Sequence, residues 1–255
     1  TNEITSYMSR YDTILSIDSS DAAGGDDIAA VRRNIKTGEV IAAGNYNETN
    51  LIVFCEWLFT EMMRFPKMTL IIERRSTGAM IIDYLLLMFV SKGVNPFKRI
   101  YNKIVQEADE FPERFKEVNK ADYLISQGLV TKYKKAFGFA TSATGATSRT
   151  ELYSTTLLSS AKVTGNKVKD KRTIDQILGL IIKNGRVDHA AGEHDDLCIS
   201  WLLAYWLLTL GKNLHFYGIN SRDILSENIV NIQNNKPLDV FERNEQQYLR
   251  SQIEN

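Results

Sequence analysis

Two short apolar runs that each end in an acid constrain this chain most. Ile14-Leu-Ser-Ile leads into Asp18, and Leu70-Ile-Ile leads into Glu73. Runs of this length, rich in β-branched residues, read as strands buried on both faces. A carboxylate is tolerated at the end of such a strand and not in its interior, where it would be buried without water. Two such strands in one sheet deliver both acids to their C-terminal ends, where open α/β sheets form sites.

The rest of the chain supplies elements for such a sheet. After Asp18 comes a Gly/Asp-rich turn, Ala23-Gly-Gly-Asp-Asp27. Residues 28–35 and 40–43 then flank Lys36-Thr37-Gly38-Glu39, a hairpin turn, so the N-terminal part predicts a three-stranded antiparallel meander. Asn50 is a helix cap for a segment running to Phe65, with Leu51, Phe54, Leu58, Phe59 and Met62 on one face and Pro66 as the stop. A strand over 68–73, a buried helix over 78–90 closed by Gly93, and a further strand over 99–105 follow. Three strands, helix, strand, helix, strand is the order of an α/β domain with a mixed sheet flanked by helices. Residues 106–172 lose this periodicity and read as a loose, partly basic insertion. Helices are predicted over 173–183 and 197–210, the second ending at Gly211. One domain therefore covers residues 1–217, and 218–255 form a polar, Asn-rich tail.

Bulk charge is uninformative, since 31 basic residues balance 31 acidic ones. Its distribution is not. Between residues 131 and 172 nine Lys or Arg face two acids, Glu151 and Asp170. Phosphate backbones need cations in numbers, so Lys132, Lys134, Lys135, Arg149, Lys162, Lys167, Lys169 and Arg172 are candidates for DNA contact. Tyr133, Phe137, Phe139 and Tyr153 lie among them and are expected to tie this segment to the core. Cys55 and Cys198 sit in apolar runs and read as buried thiols, which fits a reducing compartment. They lack ligand spacing for zinc. No run has the length of a membrane span, so no membrane partner is expected.

The third acidic contribution is Glu193-His194-Asp195-Asp196, directly ahead of the last apolar helix. Acids there face the positive end of a helix dipole and can share the edge with Asp18 and Glu73. Hard oxygen donors in that number suit two divalent ions, Mg2+ or Mn2+, and two ions serve in-line displacement at phosphorus. Asp26, eight residues beyond Asp18, is a further candidate ligand. Adjacent helical residues point about a quarter-circle apart, so one of Asp195 and Asp196 is expected to bind and the other to cap. His194 either positions water or the scissile phosphate, or packs against the sheet. Arg74 and Arg75 offer either a phosphate contact or a salt bridge. His189 and His215 read as structural.

Ser16-Ile-Asp18 with its glycine loop to Asp26, Leu70-Ile-Ile-Glu73 before a glycine-containing helix start, and His194-Asp-Asp-Leu197 opening an apolar helix form an ordered set. With Phe137-Gly-Phe-Ala-Thr-Ser and the later Arg149, this set resembles the C-terminal nuclease domain of tailed-phage terminase large subunits. That resemblance covers most of residues 10 to 210. It implies a ribonuclease H-like fold and a metal-dependent endonuclease that cuts concatemeric double-stranded viral DNA. It makes Asp18, Glu73 and one Asp of the His-Asp-Asp set the catalytic metal ligands. It also implies a portal protein and a small terminase subunit as partners, in the host cytoplasm. No Gly-x-x-x-x-Gly-Lys-Ser/Thr sequence occurs, so the packaging ATPase is expected ahead of Thr1. Two other readings use the same residues: a ribonuclease H-like Holliday-junction resolvase, and a catalytically idle module that grips DNA or a portal.

Overall fold

Strand β1 (Thr13–Ser19) is buried along its whole length, as its apolar run predicts. It pairs antiparallel with β2 (Ile28–Asn34), which pairs antiparallel with β3 (Val40–Tyr46). The turn between these last two is held by Asn34, whose Oδ1 accepts from the Lys36 and Thr37 amides at 2.8 and 3.2 Å. The computed structural model describes residues 2–19, 28–47, 50–141, 148–183 and 185–227, and Asp26 lies outside them. A helix at the start, α1 (Asn2–Arg10), has no counterpart in the sequence expectations. After β3 comes α2 (Leu51–Arg64), capped by Asn50, whose side chain accepts from the Ile52 amide at 3.1 Å. Strand β4 (Met68–Ile72) follows and runs parallel to β1, and α3 (Ser76–Ser91) covers it. The sheet order is β3-β2-β1-β4, a mixed sheet in an α/β fold.

The strand expected over 99–105 is reduced to single-residue bridges. Arg99 O and the Tyr101 amide pair with Leu70 of β4, at 2.9 and 2.8 Å. There Asn102 turns the chain, its side chain accepting from the Val105 amide at 3.1 Å and starting α4 (Lys103–Gln106). A capping side chain gives the backbone a local alternative to the ladder. Phe139 takes the next place beside β4, its amide donating to Ile72 O at 2.8 Å.

The segment expected to be loose is a chain of short helices: α5 (Pro112–Val118), α6 (Gln127–Tyr133), α7 (Arg149–Leu152), α8 (Leu158–Thr164) and α9 (Lys171–Leu178). A π turn (Tyr153–Leu157) joins α7 to α8. Each is too brief to show the period that marks a longer helix. Phe137, Phe139 and Tyr153 are buried, as expected of residues that dock the segment. The helix predicted over 173–183 stops at Gly179, and a hairpin follows, β5 (Leu180–Lys183) and β6 (Arg186–His189). The pair Asn184-Gly185 between them, with Gly185 at φ +73°, is a strong hairpin signal that an apolar run had masked.

Helix α10 (Asp196–Leu210) is apolar all round because it is covered on both sides. One side packs on β1 and β2, the other meets α7, the π turn and α9. Ile14 and Ile71 belong to the core beneath α10, while Leu15, Ile17, Leu70 and Ile72 belong to the core beneath α2 and α3. Side chains alternate along a strand, so Asp18 and Glu73 share the α10 face. Gly78 lets α3 start close by: a Cβ there would stand 2.0 Å from Glu73 O. Both cysteines are buried free thiols, and burial pushes Cys55 up to about 11. Among the described residues, no helix is long and apolar enough to cross a membrane.

Ser200 of α10 ties the helix to the strand end that carries the first acid. Its hydroxyl accepts from the Asp18 amide and donates to Ala29 O, both at 2.8 Å. Ser200→Ala strands both backbone groups in a dry core, which costs about 1–3 kcal/mol. Urea unfolding of Ser200→Ala should therefore show that loss, with Ser154→Ala, on the exposed side of the π turn, near wild type. Equal midpoints for the two variants would discard the tie.

Candidate active site

The parallel pairing of β1 and β4 sets the first two acids side by side. Ile17 lies beside Ile72, and the Glu73 amide donates to Ile17 O at 2.9 Å. Asp18 and Glu73 are 0% and 1% exposed. Asp195 and Asp196 reach the same place from the start of α10 and are also buried. Asp195 stands in the cap position but makes no capping bond through its side chain. Gln176 of α9 does that work, its Oε1 accepting from the Leu197 and Cys198 amides at 2.8 and 3.2 Å. Asp195 is therefore not the cap that the sequence allowed it to be, and it turns to the cluster.

Arg149, the first residue of α7, lies among the acids. Its Nη2 is 3.0 Å from Asp18 Oδ2 and 3.7 Å from Glu73 Oε2, and its Nη1 is 3.3 Å from Asp195 Oδ1. The Tyr153 hydroxyl donates to the other Asp195 oxygen at 2.5 Å. Glu73 Oε1 is held by the Thr141 hydroxyl and by Arg75 Nε at 3.2 Å. Arg75 thus takes the salt-bridge role, and Arg74 donates to Lys134 O and Phe137 O at 2.6 and 3.1 Å.

Burial and the neighbouring Glu73 charge hold the Asp18 carboxyl well above the usual carboxylate range, against the pull of Arg149. Burial pushes Glu73 up too, but its surroundings, Asp18, Arg149, Thr141 and Arg75, outweigh it and hold Glu73 low. Burial lowers Arg149, and its three carboxylate neighbours more than reverse that. Burial raises the Tyr153 hydroxyl, helped by Cys198 and Asp195, so it remains a donor.

Two buried acceptors in the cluster have no hydrogen-bond partner, Asp18 Oδ1 and Glu73 Oε2. Hard, unpartnered carboxylate oxygens on two neighbouring strands, with Asp195 close by, suit a hard divalent cation. Among the described residues, no group of three or more metal-ligating side chains is drawn together closely enough to hold an ion as it stands. A cleft of about 470 Å3 opens beside the cluster, lined by Arg149, Tyr153, Asp195 and, from the hairpin, Lys183 and Arg186.

The remaining candidates are dispersed. His194 is exposed, does not pack against the sheet, and has Nδ1 3.7 Å from Asp196 Oδ2. Of the eight basic candidates only Arg149 joins the acids. Lys132 pairs with Glu117 at 2.7 Å and Lys134 with Asp83 at 3.1 Å. Lys167 donates to Thr37 O at 2.7 Å, Lys169 meets Glu39 at 2.8 Å, and Arg172 meets Asp170 and Ala43 O, which fastens this stretch to the β2–β3 turn and β3. Lys135 and Lys162 are exposed. Sequence reasoning gave no site role to Thr141, Tyr153, Lys183 or Arg186, although Thr141 lies in the Phe137-Gly-Phe-Ala-Thr-Ser stretch and the hairpin pair was signalled by Asn184-Gly185. No family of known proteins and no curated protein matches the chain.

The Asp18 proton gives the cluster a pH signature. An acid whose folded pKa lies above its unfolded value weakens the fold as pH rises, because the unfolded chain releases the proton first. In EDTA the wild type should lose this stability from the ordinary 3.8 upward until the raised pKa of Asp18 is passed. Asp18→Asn removes the ionisation, so its melting temperature relative to wild type should climb as pH rises above the ordinary 3.8. A difference that stays flat as pH rises would show that the Asp18 carboxyl is not raised.

Proposed function

We propose that this chain is a ribonuclease H-like endonuclease, the nuclease domain of a viral DNA-packaging terminase. It would cut concatemeric double-stranded DNA by metal-dependent hydrolysis of a phosphodiester. The observation that carries this reading is the meeting of three buried carboxylates, from β1, β4 and the start of α10, beside an open cleft whose lining includes Arg149, Lys183 and Arg186.

Asp18, Glu73 and one or both of Asp195 and Asp196 would hold two Mg2+ or Mn2+ ions, with Asp26 as a further donor. Two such ions, when bound, stabilise the attacking water and the leaving 3′-oxygen of an in-line displacement. Lys183 and Arg186 on the cleft wall take the flanking phosphates as backbone contacts without sequence preference. Thr141 and Arg75 fix Glu73 in its ionised form, and Tyr153 fixes Asp195. His194, exposed beside Asp196, is placed to orient water or to pass a proton to the departing oxygen. No side chain is needed as nucleophile: water forms the new P–O bond and the P–O3′ bond breaks. The terminase assignment rests on the ordered set of acid-bearing segments in the sequence. It brings with it double-stranded DNA, an ATPase domain, a portal protein and a small terminase subunit as partners, and the host cytoplasm as the place of work.

Plasmid DNA should be cut with Mn2+, spared in EDTA, and cut more than about a hundredfold more slowly by Asp18→Ala, since even outer-shell supports of metal sites are worth 10–100-fold. Cleavage by Asp18→Ala at the parental rate would sink the site. Binding of duplex without cutting would mark a binding module, and preference for four-way junctions a resolvase.

The basic residues divide in a second test. Lys183→Ala with Arg186→Ala should lower the salt slope of duplex binding by roughly 2, about 0.9 for each lost phosphate contact. Lys132→Ala with Lys134→Ala should change it less, because both are engaged by acids. The reverse ranking would move the DNA path to α6.

A further inference from the structure

One guanidinium stands where the oxygens of three elements converge. Arg149 lies at 3.0 Å from Asp18, 3.3 Å from Asp195 and 3.7 Å from Glu73, so each acid-bearing element contributes one contact. These are the oxygens that a hard cation would take, and two cations inside one cluster repel and compete for the same lone pairs. Asp18 Oδ1 and Glu73 Oε2, both buried, remain without hydrogen-bond partners. A guanidinium, a planar donor of fixed shape, leaves acceptors unused that a spherical ion gathers.

Arg149 also has somewhere to go. It opens a helix of only four residues, its side chain is 29% exposed, and it lines the cleft that Lys183 and Arg186 face. Its Nε, though buried, bonds to nothing, so the side chain is held by its Nη groups alone.

Resting on the metal-dependent reading of this site, we propose that Arg149 is a resident counter-cation that divalent metal must displace. In the metal-free protein it neutralises the repulsion among the acids. On metal entry it leaves the cluster for the cleft. Arg149 is then a regulatory residue of the site, setting how much metal is needed to fill it.

The test measures metal binding and folding in the whole chain, without DNA. Mn2+ is titrated calorimetrically into wild type, Arg149→Gln and Arg149→Lys, and each protein is melted in EDTA and in Mn2+. Arg149→Gln should melt below wild type in EDTA yet bind Mn2+ about tenfold more tightly, which is ~1.4 kcal/mol of removed competition. Arg149→Lys, whose point charge cannot span three carboxylates, should melt in between and bind Mn2+ with an intermediate gain. If Arg149→Gln does not fold in EDTA, the lysine variant carries the comparison. Variants that fold and bind Mn2+ no more tightly than wild type overturn the displacement and leave the nuclease reading standing. Absence of Mn2+ binding in wild type and variants alike removes both.

Discussion

Like charges buried together repel, and most of the architecture around the sheet edge answers that repulsion. Asp18 and Glu73 are neighbours because β1 and β4 are parallel and in register, and no movement of side chains alone would separate them. Their repulsion is met in three ways. Burial and the Glu73 charge raise the affinity of the Asp18 carboxyl for a proton. Thr141 and Arg75 grip the outer oxygen of Glu73. Arg149 crosses from α7 to meet both acids and Asp195. The short helices before α10 are thus part of the electrostatics of the strands, and not an appendage to them.

The strands and their acids were legible because burial on both faces leaves an uninterrupted apolar run, and the end of such a run is where a carboxylate can stand. Asn50 as a cap, the turn after Asn34 and the apolar α10 were legible for equally local reasons. What escaped was whatever depends on a partner distant in sequence. The end of α10 looked as though Asp195 or Asp196 must cap it, yet Gln176 does so from another helix, and no local pattern announces that. The basic count over 131–172 suggested one surface. Lys132, Lys134 and Lys169 instead find acids on three different elements, and Arg149 turns inward. Net charge along a segment is blind to where each cation ends. The hairpin after Gly179 was missed for the opposite reason: its Asn-Gly signal was local, but the apolar Leu180-Ile-Ile ahead of it read as more helix.

The cleft illustrates how these parts combine. Asp195 supplies one wall through a helix held in place by α9. Arg149 and Tyr153 supply another through α7 and the π turn, and the hairpin closes a third side with Lys183 and Arg186. Opposite charges thus face one another across one space, Lys183 and Arg186 beside Asp188 on the hairpin and Arg149 against Asp195 on the other sides.

The double-sided burial of α10 has a consequence for how the molecule breathes. A helix walled on both sides cannot fray or peel without the sheet core opening with it, so its amides should exchange with solvent only on global unfolding. Arg149 and the hairpin belong to short elements with much of their backbone near the surface, and these open at far smaller free energies. The carboxylates are therefore mounted on the most persistent part of the molecule, and the cations that answer them on the most yielding. Motion at the site is therefore motion of its cations about a frame that stays still between unfolding events.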